Sequence, residues 1–297
     1  MPATQYICPS TGNKIPISKC LKHCPNGQRC MFLPTLRCIA ESLNRKLDKP
    51  SVTELINGIR ETFLKRKTDY AVDPCQQVFS MHGSAVHAIN ESHTDGNMLS
   101  EERIADNITS GKFDLYGEIM DTNDQTLGDF KVTSSYKLMK ALGYYKVDVL
   151  TGEVFKTGAK KGLPKTRKEW REDGVKHILE WAIQLNYYRI LLEQNGFKVN
   201  RVVIQAMCRD YGLRMASERN IRHPVYLIEI NRISDHWIGL YMKAKARKLR
   251  IALEDNTLPP RCNTRERWHD RKCLDYCDVA ESCPYGKLLK QTASNAA

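Results

Sequence analysis

Eleven cysteines constrain this chain more than any other feature, because eight of them fall into two sets with nearly the same spacing. Both sets end in the pattern Cys-x3-Cys-x5-Cys, and a further cysteine is separated from that pattern by 11 or 10 residues. The sets are Cys8, Cys20, Cys24 and Cys30 near the start of the chain, and Cys262, Cys273, Cys277 and Cys283 near its end. Scattered structural cysteines rarely repeat such spacing, so each set is predicted to be a four-thiolate metal site.

The cellular compartment decides between metal sites and disulfides. No apolar run approaches the roughly 18 residues of a membrane helix, and residues 1–9 lack the basic and apolar regions of a signal peptide. We therefore expect a cytoplasmic protein without membrane attachment. Disulfides rarely persist there, whereas thiolates bind zinc or iron–sulfur clusters. The other three cysteines, Cys38, Cys75 and Cys208, are predicted to be small buried hydrophobic residues.

The charge balance favours a polyanionic partner. The chain has 46 basic and 34 acidic residues, a net charge of +12, which attracts nucleic acid through Coulomb steering and counterion release. Basic residues are concentrated in residues 157–171, which are predicted to be a loop. That loop is a candidate guide for a DNA strand, although a solvated flexible loop fits the same composition. Its candidate phosphate ligands are Lys160, Lys161, Lys165, Arg167 and Lys168.

Hydrophobic periodicity predicts both helices and strands. Helical spacing is found over 51–67, with Ser51 as its cap, and over 83–92, 175–194 and 235–253. Alternating patterns predict a hairpin across 113–132, a second hairpin across 144–156 that turns at Thr151 and Gly152, and strands at 199–207 and 225–230. The predicted organisation is a metal module at 1–38, a core at 39–258 with a basic insertion at 134–176, and a second metal module at 259–290.

The first hairpin carries the residues with the clearest chemistry. Alternate residues of a strand share a face, so Asp129 and Lys131 point the same way. Asp114, on the preceding strand, can approach Asp129 and supply a second hard oxygen ligand for Mg²⁺ or Mn²⁺. Two carboxylates this close would repel each other, and a cation relieves that repulsion. Taken alone, however, an Asp-x-Lys pair on a strand is more often a solvent-facing ion pair.

The order of the surrounding motifs favours the metal site. Four short segments follow one another: Gly83-Ser84-Ala85-Val86-His87, Gly111-Lys112-Phe113-Asp114, Gly128-Asp129-Phe130-Lys131 and Gln184-Leu185-Asn186-Tyr187-Tyr188. This series resembles the RecB-like branch of the PD-(D/E)XK nuclease superfamily, which includes phage exonucleases and CRISPR spacer-acquisition nucleases. The motifs span residues 83–188, and the cysteine-bearing flanks extend the likeness to most of the chain. Each motif is weak alone, and the ordered set is specific.

The resemblance implies a fold and a set of roles. The fold is α/β, with a mixed central sheet flanked by helices as in restriction endonucleases. His87, Asp114, Asp129 and the carbonyl of Phe130 would bind the catalytic Mg²⁺ or Mn²⁺, and Lys131 would activate water or stabilise phosphate charge. The remaining motif residues are Gln184 and Tyr188, which would brace the site or touch DNA. Glu91, one turn after His87, either supports the metal or faces solvent.

The activity implied is hydrolysis of DNA, by an exonuclease in phage-type recombination, repair or spacer acquisition, with a recombination or helicase protein as a further partner. An RNA nuclease, a restriction-type endonuclease and a non-catalytic zinc-stapled DNA-binding adaptor are the alternatives. The cysteine spacing departs from relatives with a cluster, which hold it with one upstream and three downstream cysteines. We therefore expect Zn²⁺ in the N-terminal module, and the C-terminal module leaves Zn²⁺ and a 4Fe–4S cluster open.

Overall fold

The secondary structure is mixed, with short strands at the start of the chain and long helices towards its end. A computed structural model describes residues 3–44, 49–120 and 123–295. The strands within these ranges are β1 (Gln5–Ile7), β2 (Lys14–Pro16), β3 (Ala71–Val72), β4 (Leu99–Ser100), β5 (Arg103–Ala105), β6 (Ser110–Lys112), β7 (Leu115–Gly117), β8 (Thr126–Thr133), β9 (Tyr145–Val154), β10 (Pro164–Arg171), β11 (Arg201–Cys208) and β12 (Val225–Glu229). The helices are α1 (Ile17–Lys22), α2 (Leu33–Leu43), α3 (Val52–Asn57), α4 (Ile59–Lys67), α5 (Pro74–Glu91), α6 (Ser135–Leu142), α7 (Leu179–Gln194), α8 (Arg214–Ser217), α9 (Asp235–Glu254), α10 (Arg271–Asp275) and α11 (Pro284–Asn295).

The main sheet has five strands in the order β12-β11-β8-β7-β4. Strands β8 and β11 are parallel over their full length, and the other neighbours are antiparallel. The predicted hairpin is confirmed, because β7 pairs with β8 from Leu115↔Gly128 to Gly117↔Thr126. Helices α5, α6 and α7 pack against these strands. A mixed α/β architecture is therefore confirmed.

Two hydrophobic cores are separate from each other. The larger one contains the sheet and helices α3, α4, α6, α7 and α9, and it extends to Val279 with Cys277 and Cys283 packed against it. The smaller one lies in the N-terminal module, between Tyr6, Leu36, Ile39 and Val72. The C-terminal cysteine module thus continues the main core, whereas the N-terminal module has a core of its own.

The basic segment predicted as a loop is only partly irregular, because residues 157–163 lie in a turn and residues 164–171 form strand β10 of a hairpin arm. Strands β9 and β10 form a two-stranded antiparallel sheet that pairs with no other described strand. The prediction of a turn at Thr151 and Gly152 is wrong, since β9 continues through both residues to Val154. At the base of the arm Gly174 donates to the carbonyl of Gly143, which caps α6 in a left-handed conformation. Helix α6 lies within the insertion predicted at 134–176, but it buries Leu138 and Ala141 in the main core. The exposed part of that insertion is therefore the arm, residues 145–171.

Several boundaries differ from the sequence prediction for local reasons. The helix predicted over 51–67 is two helices, because Gly58 adopts a φ of 127° that no helix allows. Its start is confirmed, with Ser51 and Glu54 forming a capping box. Of the three remaining cysteines only Cys208 is buried, so the prediction for Cys38 and Cys75, which are exposed, is wrong. Over the described residues, no helix combines the length and apolar character needed to cross a bilayer.

Candidate metal centre

A bent hairpin places two carboxylates opposite each other. Strands β4 and β7 pair at Leu99↔Tyr116, and β5 and β6 pair at Arg103↔Lys112 in the same continuous register. Between the two ladders, the Glu101 N–H donates to the Asp114 carbonyl at 3.0 Å. Glu101 has a φ of 54°, a conformation that side-chain-bearing residues rarely adopt and that is often found at functional sites. The bend therefore aligns the Glu101 and Asp114 side chains.

Helix α5 brings His87 to these carboxylates. Its Nδ1 lies 2.8 Å from Glu101 Oε1 and 3.5 Å from Asp114 Oδ1. Among the described residues, these three side chains are the one group of His, Cys, Asp or Glu whose candidate ligand atoms all lie within 4.8 Å of one another. One imidazole and two carboxylates form a donor set suited to a divalent cation. Glu101 was not predicted from the sequence, and it takes the supporting position considered for Glu91, which is exposed.

Strand β8 contributes the next part of the site. Lys131 Nζ donates to Asp129 Oδ1 at 2.8 Å and lies 2.6 Å from Oδ2, so the ammonium contacts both oxygens of this buried carboxylate. A buried carboxylate is costly unless it is paired, and Lys131 provides the pairing charge. Burial opposes charge on Lys131, but Asp129 and Asp114 outweigh it and raise the pKa of Lys131, which stays a cation.

Asp114 accepts a hydrogen bond from β8 just beyond the last residue pair between β7 and β8. The Phe130 N–H donates to Asp114 Oδ2 at 2.8 Å. The N–H and C=O of one strand residue point to the same edge, so the Phe130 carbonyl also lies on the Asp114 side. The Phe130 ring packs edge to face on His87, with centroids 5.9 Å apart. The structure thus brings His87, Asp114 and Phe130 into contact, whereas the predicted ligand Asp129, paired with Lys131, lies outside the group of ligand atoms within 4.8 Å of one another.

Helix α7 packs against β8 and brings Tyr188 close to Asp129 and Lys131. Tyr188 is 3% exposed, and burial together with the nearby Asp129 charge raises the pKa of its hydroxyl. Gln184, one turn earlier, lies with its Nε2 3.5 Å from that hydroxyl, too far for a strong hydrogen bond. The Tyr188 ring lies directly on Gly111, where a Cβ would come within 2.2 Å of Cε1. The glycine of the Gly111-to-Asp114 motif is therefore required for close packing.

Asp114 is the residue whose proton should report metal binding. Burial, and then the Asp129 charge, raise the pKa of Asp114 to about 7. We expect the apparent affinity for Mn²⁺ to fall as the pH drops from 8 to 5.5, approaching tenfold per unit below about pH 7, because a proton must leave before the carboxylate can bind metal. Titration calorimetry in buffers of different ionisation enthalpy measures both the affinity and the proton released. A pH-independent affinity, or an Asp114→Asn variant with the wild-type profile, would contradict this assignment.

The same pKa has a consequence for the metal-free protein. A carboxyl whose pKa is higher in the folded than in the unfolded state favours folding most when it is protonated. That contribution is complete below the unfolded pKa of about 4 and is lost as the pH rises through about 7. The Asp114 contribution should therefore decrease between these values, and Asp114→Asn should flatten that part of the stability profile.

The two glutamates near His87 allow a matched comparison. Glu101→Gln should weaken Mn²⁺ binding about tenfold or more, since it removes the negative charge of one of the three candidate ligands. Glu91→Gln removes the same charge from an exposed position on the same helix as His87 and should leave the affinity unchanged. Manganese titrations followed by electron paramagnetic resonance measure both. Equal losses in the two variants would show that Glu101 acts only through overall charge.

The cysteine sets converge less tightly. Each set of four lines one small cavity, but neither brings three thiols within 4.8 Å of one another in the described chain. Sulfurs around a tetrahedral zinc are about 3.8 Å apart, so both sets are more open than a closed zinc site. In the C-terminal cavity, Cys262 and Cys273 lie beside Glu61 and Lys272, which form an ion pair of 2.7 Å. Each set lines a common cavity without closed coordination geometry, so metal binding by the cysteines stays a prediction.

The predicted DNA-contacting cations lie on the arm. Lys160 and Lys161 occupy the exposed turn between its strands, and Lys168 is exposed on β10. Two others pair with acids of the same arm, Lys165 with Glu153 at 2.9 Å and Arg167 with Glu169 at 2.7 Å. The cations of the turn are therefore more available to an external anion than those paired on the strands.

Comparison with known proteins adds little to this geometry. No protein-family model matches the chain, and no curated protein matches it. The chain is similar to a solved structure described as the crystal structure of SSO0001, with a TM-score of 0.42 and 15% sequence identity over 85% of this chain and 94% of that chain. Similarity at this level identifies neither a family nor a function, so the functional argument depends on the residues themselves.

Proposed function

We propose that this protein is a metal-dependent nuclease of the PD-(D/E)XK type that hydrolyses phosphodiester bonds in DNA. The observation that carries the proposal is the burial of two carboxylates, Asp129 and Asp114, next to each other and to the Lys131 ammonium. A solvent-facing ion pair, the alternative for an Asp-x-Lys sequence, would be exposed, whereas Asp129 is 2% exposed. Burial of two carboxylates and an amine is costly unless the site has a charged ligand.

The residues present fit a hard divalent cation, Mg²⁺ or Mn²⁺. His87, Glu101 and Asp114 offer one nitrogen and two carboxylates within 4.8 Å of one another, and the Phe130 carbonyl and the Asp129 carboxylate belong to the neighbouring strand β8. When bound, a cation of this kind polarises a phosphate and lowers the pKa of water. Oxygen-rich ligand sets favour these ions over zinc, which prefers nitrogen and sulfur.

Lys131 serves the reaction as a cation. Its raised pKa keeps the ammonium charged near neutral pH, which supports stabilisation of charge on the scissile phosphate over proton abstraction from water. Asp129 holds the ammonium through Oδ1 and so fixes its direction. The buried Tyr188 lies near Asp129, which is shielded from bulk water, whereas the Lys131 side chain stays 22% exposed. In the low-dielectric surroundings that result, the ammonium interacts more strongly with phosphate.

The arm supplies a second contact for nucleic acid in this proposal. Residues 145–171 include eight basic and three acidic residues, and a two-stranded ribbon is narrow enough for the major groove of DNA. An isolated hairpin is marginally stable, so a bound polyanion would also stabilise its structure. The basic arm favours DNA or RNA over an uncharged substrate.

The turn of the arm can be tested by removing charge. Lys160→Ala combined with Lys161→Ala should weaken DNA binding and reduce the slope of log affinity against log salt by about two, because each phosphate contact contributes about 0.9. Lys287→Ala with Lys290→Ala removes the same charge from α11 and should leave that slope unchanged. Fluorescence anisotropy across a salt series gives the slopes. Identical slopes in both double variants would exclude the arm from the interface.

The substrate is tested with labelled linear duplex DNA, closed circular DNA and RNA, each with Mn²⁺ or with EDTA. We expect linear DNA to be shortened from its ends and EDTA to stop the reaction, as for an exonuclease in recombination, repair or spacer acquisition. Cutting of closed circles would identify a restriction-type endonuclease, and degradation of RNA alone an RNA nuclease. Binding without cleavage of any substrate would contradict the proposal and support the DNA-binding adaptor.

A further inference from the structure

The N-terminal cysteine module is built around one small cavity next to the start of α5. Cys20 lies on α1, and the other three thiols lie on the loops that follow β1 and α1. The cavity is lined by Cys8, Cys20, Cys24 and Cys30 together with Tyr6, Leu36 and Pro74 among others. Cys20 and Cys30 are each close enough to other thiols of the set that their charges would repel, which together with burial raises the pKa of both. Four sulfurs thus share one site.

The side chains of Arg29 and Asn26 hold the loops of this module in place through hydrogen bonds. The Arg29 guanidinium donates to the carbonyls of Cys20 at 2.5 Å and Leu21 at 3.1 Å, and so fixes the end of α1 against the loop that carries Cys24 and Cys30. The Asn26 amide donates to Cys8 Sγ at 3.1 Å. The hydrophobic core of the module is small, and a metal is the usual stabiliser of a unit of this size.

We propose that Cys8, Cys20, Cys24 and Cys30 bind a thiophilic metal centre, and that the module so formed holds the start of α5 and thereby positions His87. The shared chemistry is four-thiolate ligation, by Zn²⁺ or by an iron–sulfur cluster. Zinc requires the thiols to move closer together, whereas an iron–sulfur cluster is bound by thiols that are farther apart. The positioning of His87 rests on the proposed catalytic metal site, and the thiolate site does not.

The connection to α5 is direct. Strand β3 pairs in parallel with β1 through Gln5↔Ala71 and Tyr6↔Val72, so the chain leaves the module only two residues before α5 begins. Pro74, the first residue of α5, lines the cysteine cavity and is the one buried residue of that helix. Cys75 follows it, close to Cys30. The first turn of α5 is therefore part of the wall of the proposed site.

The remainder of α5 has little else to hold it. Its other residues are exposed or half-buried, and His87 lies thirteen residues after Pro74, about 20 Å along an unbroken helix. Its position is set by its packing on α2 and β8 and by its two ends, the cysteine module and the contacts of His87 with Glu101 and Asp114. Loss of the contacts between the cysteine module and the start of α5 should therefore weaken metal binding by His87.

Metal content tests the thiolate site. Anaerobically purified wild-type protein, Cys20→Ser and Cys38→Ser are compared by inductively coupled plasma mass spectrometry and optical absorption. We expect Cys20→Ser to lose one zinc, or about four irons with their absorption near 400 nm, and Cys38→Ser, which changes an exposed cysteine of α2, to lose none. Unchanged metal content in Cys20→Ser, or an equal loss in Cys38→Ser, would overturn the site. Cys30→Ser, an exposed ligand, provides the same comparison if Cys20→Ser does not fold.

Hydrogen exchange and Mn²⁺ affinity test the positioning of His87. In the metal-depleted variant we expect faster amide exchange over α5 and a Mn²⁺ affinity at least about tenfold lower, with the exchange of α7 and α9 unchanged. Loss of the thiolate metal with wild-type α5 exchange and wild-type Mn²⁺ affinity would overturn the positioning role. Neither readout uses cleavage, so a protein that fails to cut DNA and still shows these changes refutes the nuclease proposal alone.

Discussion

Replacing Asp129 by Asn should lower DNA cleavage by about a thousandfold or more while the fold persists. The exchange keeps the shape of the side chain and removes the buried charge that holds the Lys131 ammonium. Loss of a metal ligand removes several kcal/mol of transition-state stabilisation, and each 1.4 kcal/mol corresponds to a factor of about ten in rate. Single-turnover cleavage of a labelled linear duplex at saturating Mn²⁺ measures the effect.

The control for this prediction is Asp255→Asn, which removes the same charge from an exposed residue after α9 and should leave the rate unchanged. Circular dichroism and thermal unfolding verify that both variants are folded. Wild-type cleavage by Asp129→Asn would show that the buried Asp129 and Lys131 pair stabilises the fold without taking part in the reaction, and the nuclease proposal would lose its central observation.

The second large effect is expected from one methyl group. Gly111→Ala would place a Cβ 2.2 Å from Tyr188 Cε1 and 2.9 Å from Cζ, in a region where both residues are buried. Because the ring belongs to the core and cannot withdraw freely, we expect a loss of about 3 kcal/mol in unfolding free energy. Urea unfolding measures that loss. The displaced Tyr188 should also reduce cleavage, since its hydroxyl lies near Asp129 and Lys131.

A double-mutant cycle separates steric conflict from a general effect of the added methyl group. Tyr188→Leu frees the space above Gly111, so the alanine should cost much less in that background than in the wild type. Gly83→Ala is the matched control, because Gly83 lies within α5 and no neighbouring atom lies within 4 Å of the point that an added Cβ would occupy. Additive losses in the cycle would mean that the ring does not limit residue 111.

The sequence predicted those parts of the site that depend on local geometry. Alternation along β8 placed Asp129 and Lys131 on one face, and the capping box at Ser51 located a helix start. Glu101 could not be found in the same way, because it belongs to none of the ordered motifs and reaches His87 only through the bend of the hairpin. A glutamate one helical turn from His87 was the better candidate from spacing alone, and tertiary structure turned it to solvent.

The arm shows a different limit of sequence reasoning. Thr151 and Gly152 look like a turn, and Gly152 does adopt a positive φ, yet the strand continues through them. The true turn lies at 155–163, where Gly158 and Gly162 also have positive φ values. Three glycines of the arm adopt a positive φ, so the presence of a glycine did not identify the position of the turn. Continuous pairing from Tyr145↔Arg171 to Leu150↔Thr166, resumed at Val154↔Pro164 after an irregularity that contains Thr151 and Gly152, selected the longer hairpin.

The paired glycines at the base of the arm have a consequence for how such a protein can change over time. Gly143 and Gly174 let the two ends of the arm meet through a backbone hydrogen bond, so the chain leaves the core and returns to it at nearly the same place. A change in the length of the arm should therefore leave the five-stranded sheet and the group of His87, Glu101 and Asp114 in place. In the proposed nuclease, replacing residues 145–171 would change the contacts with nucleic acid independently of the metal site.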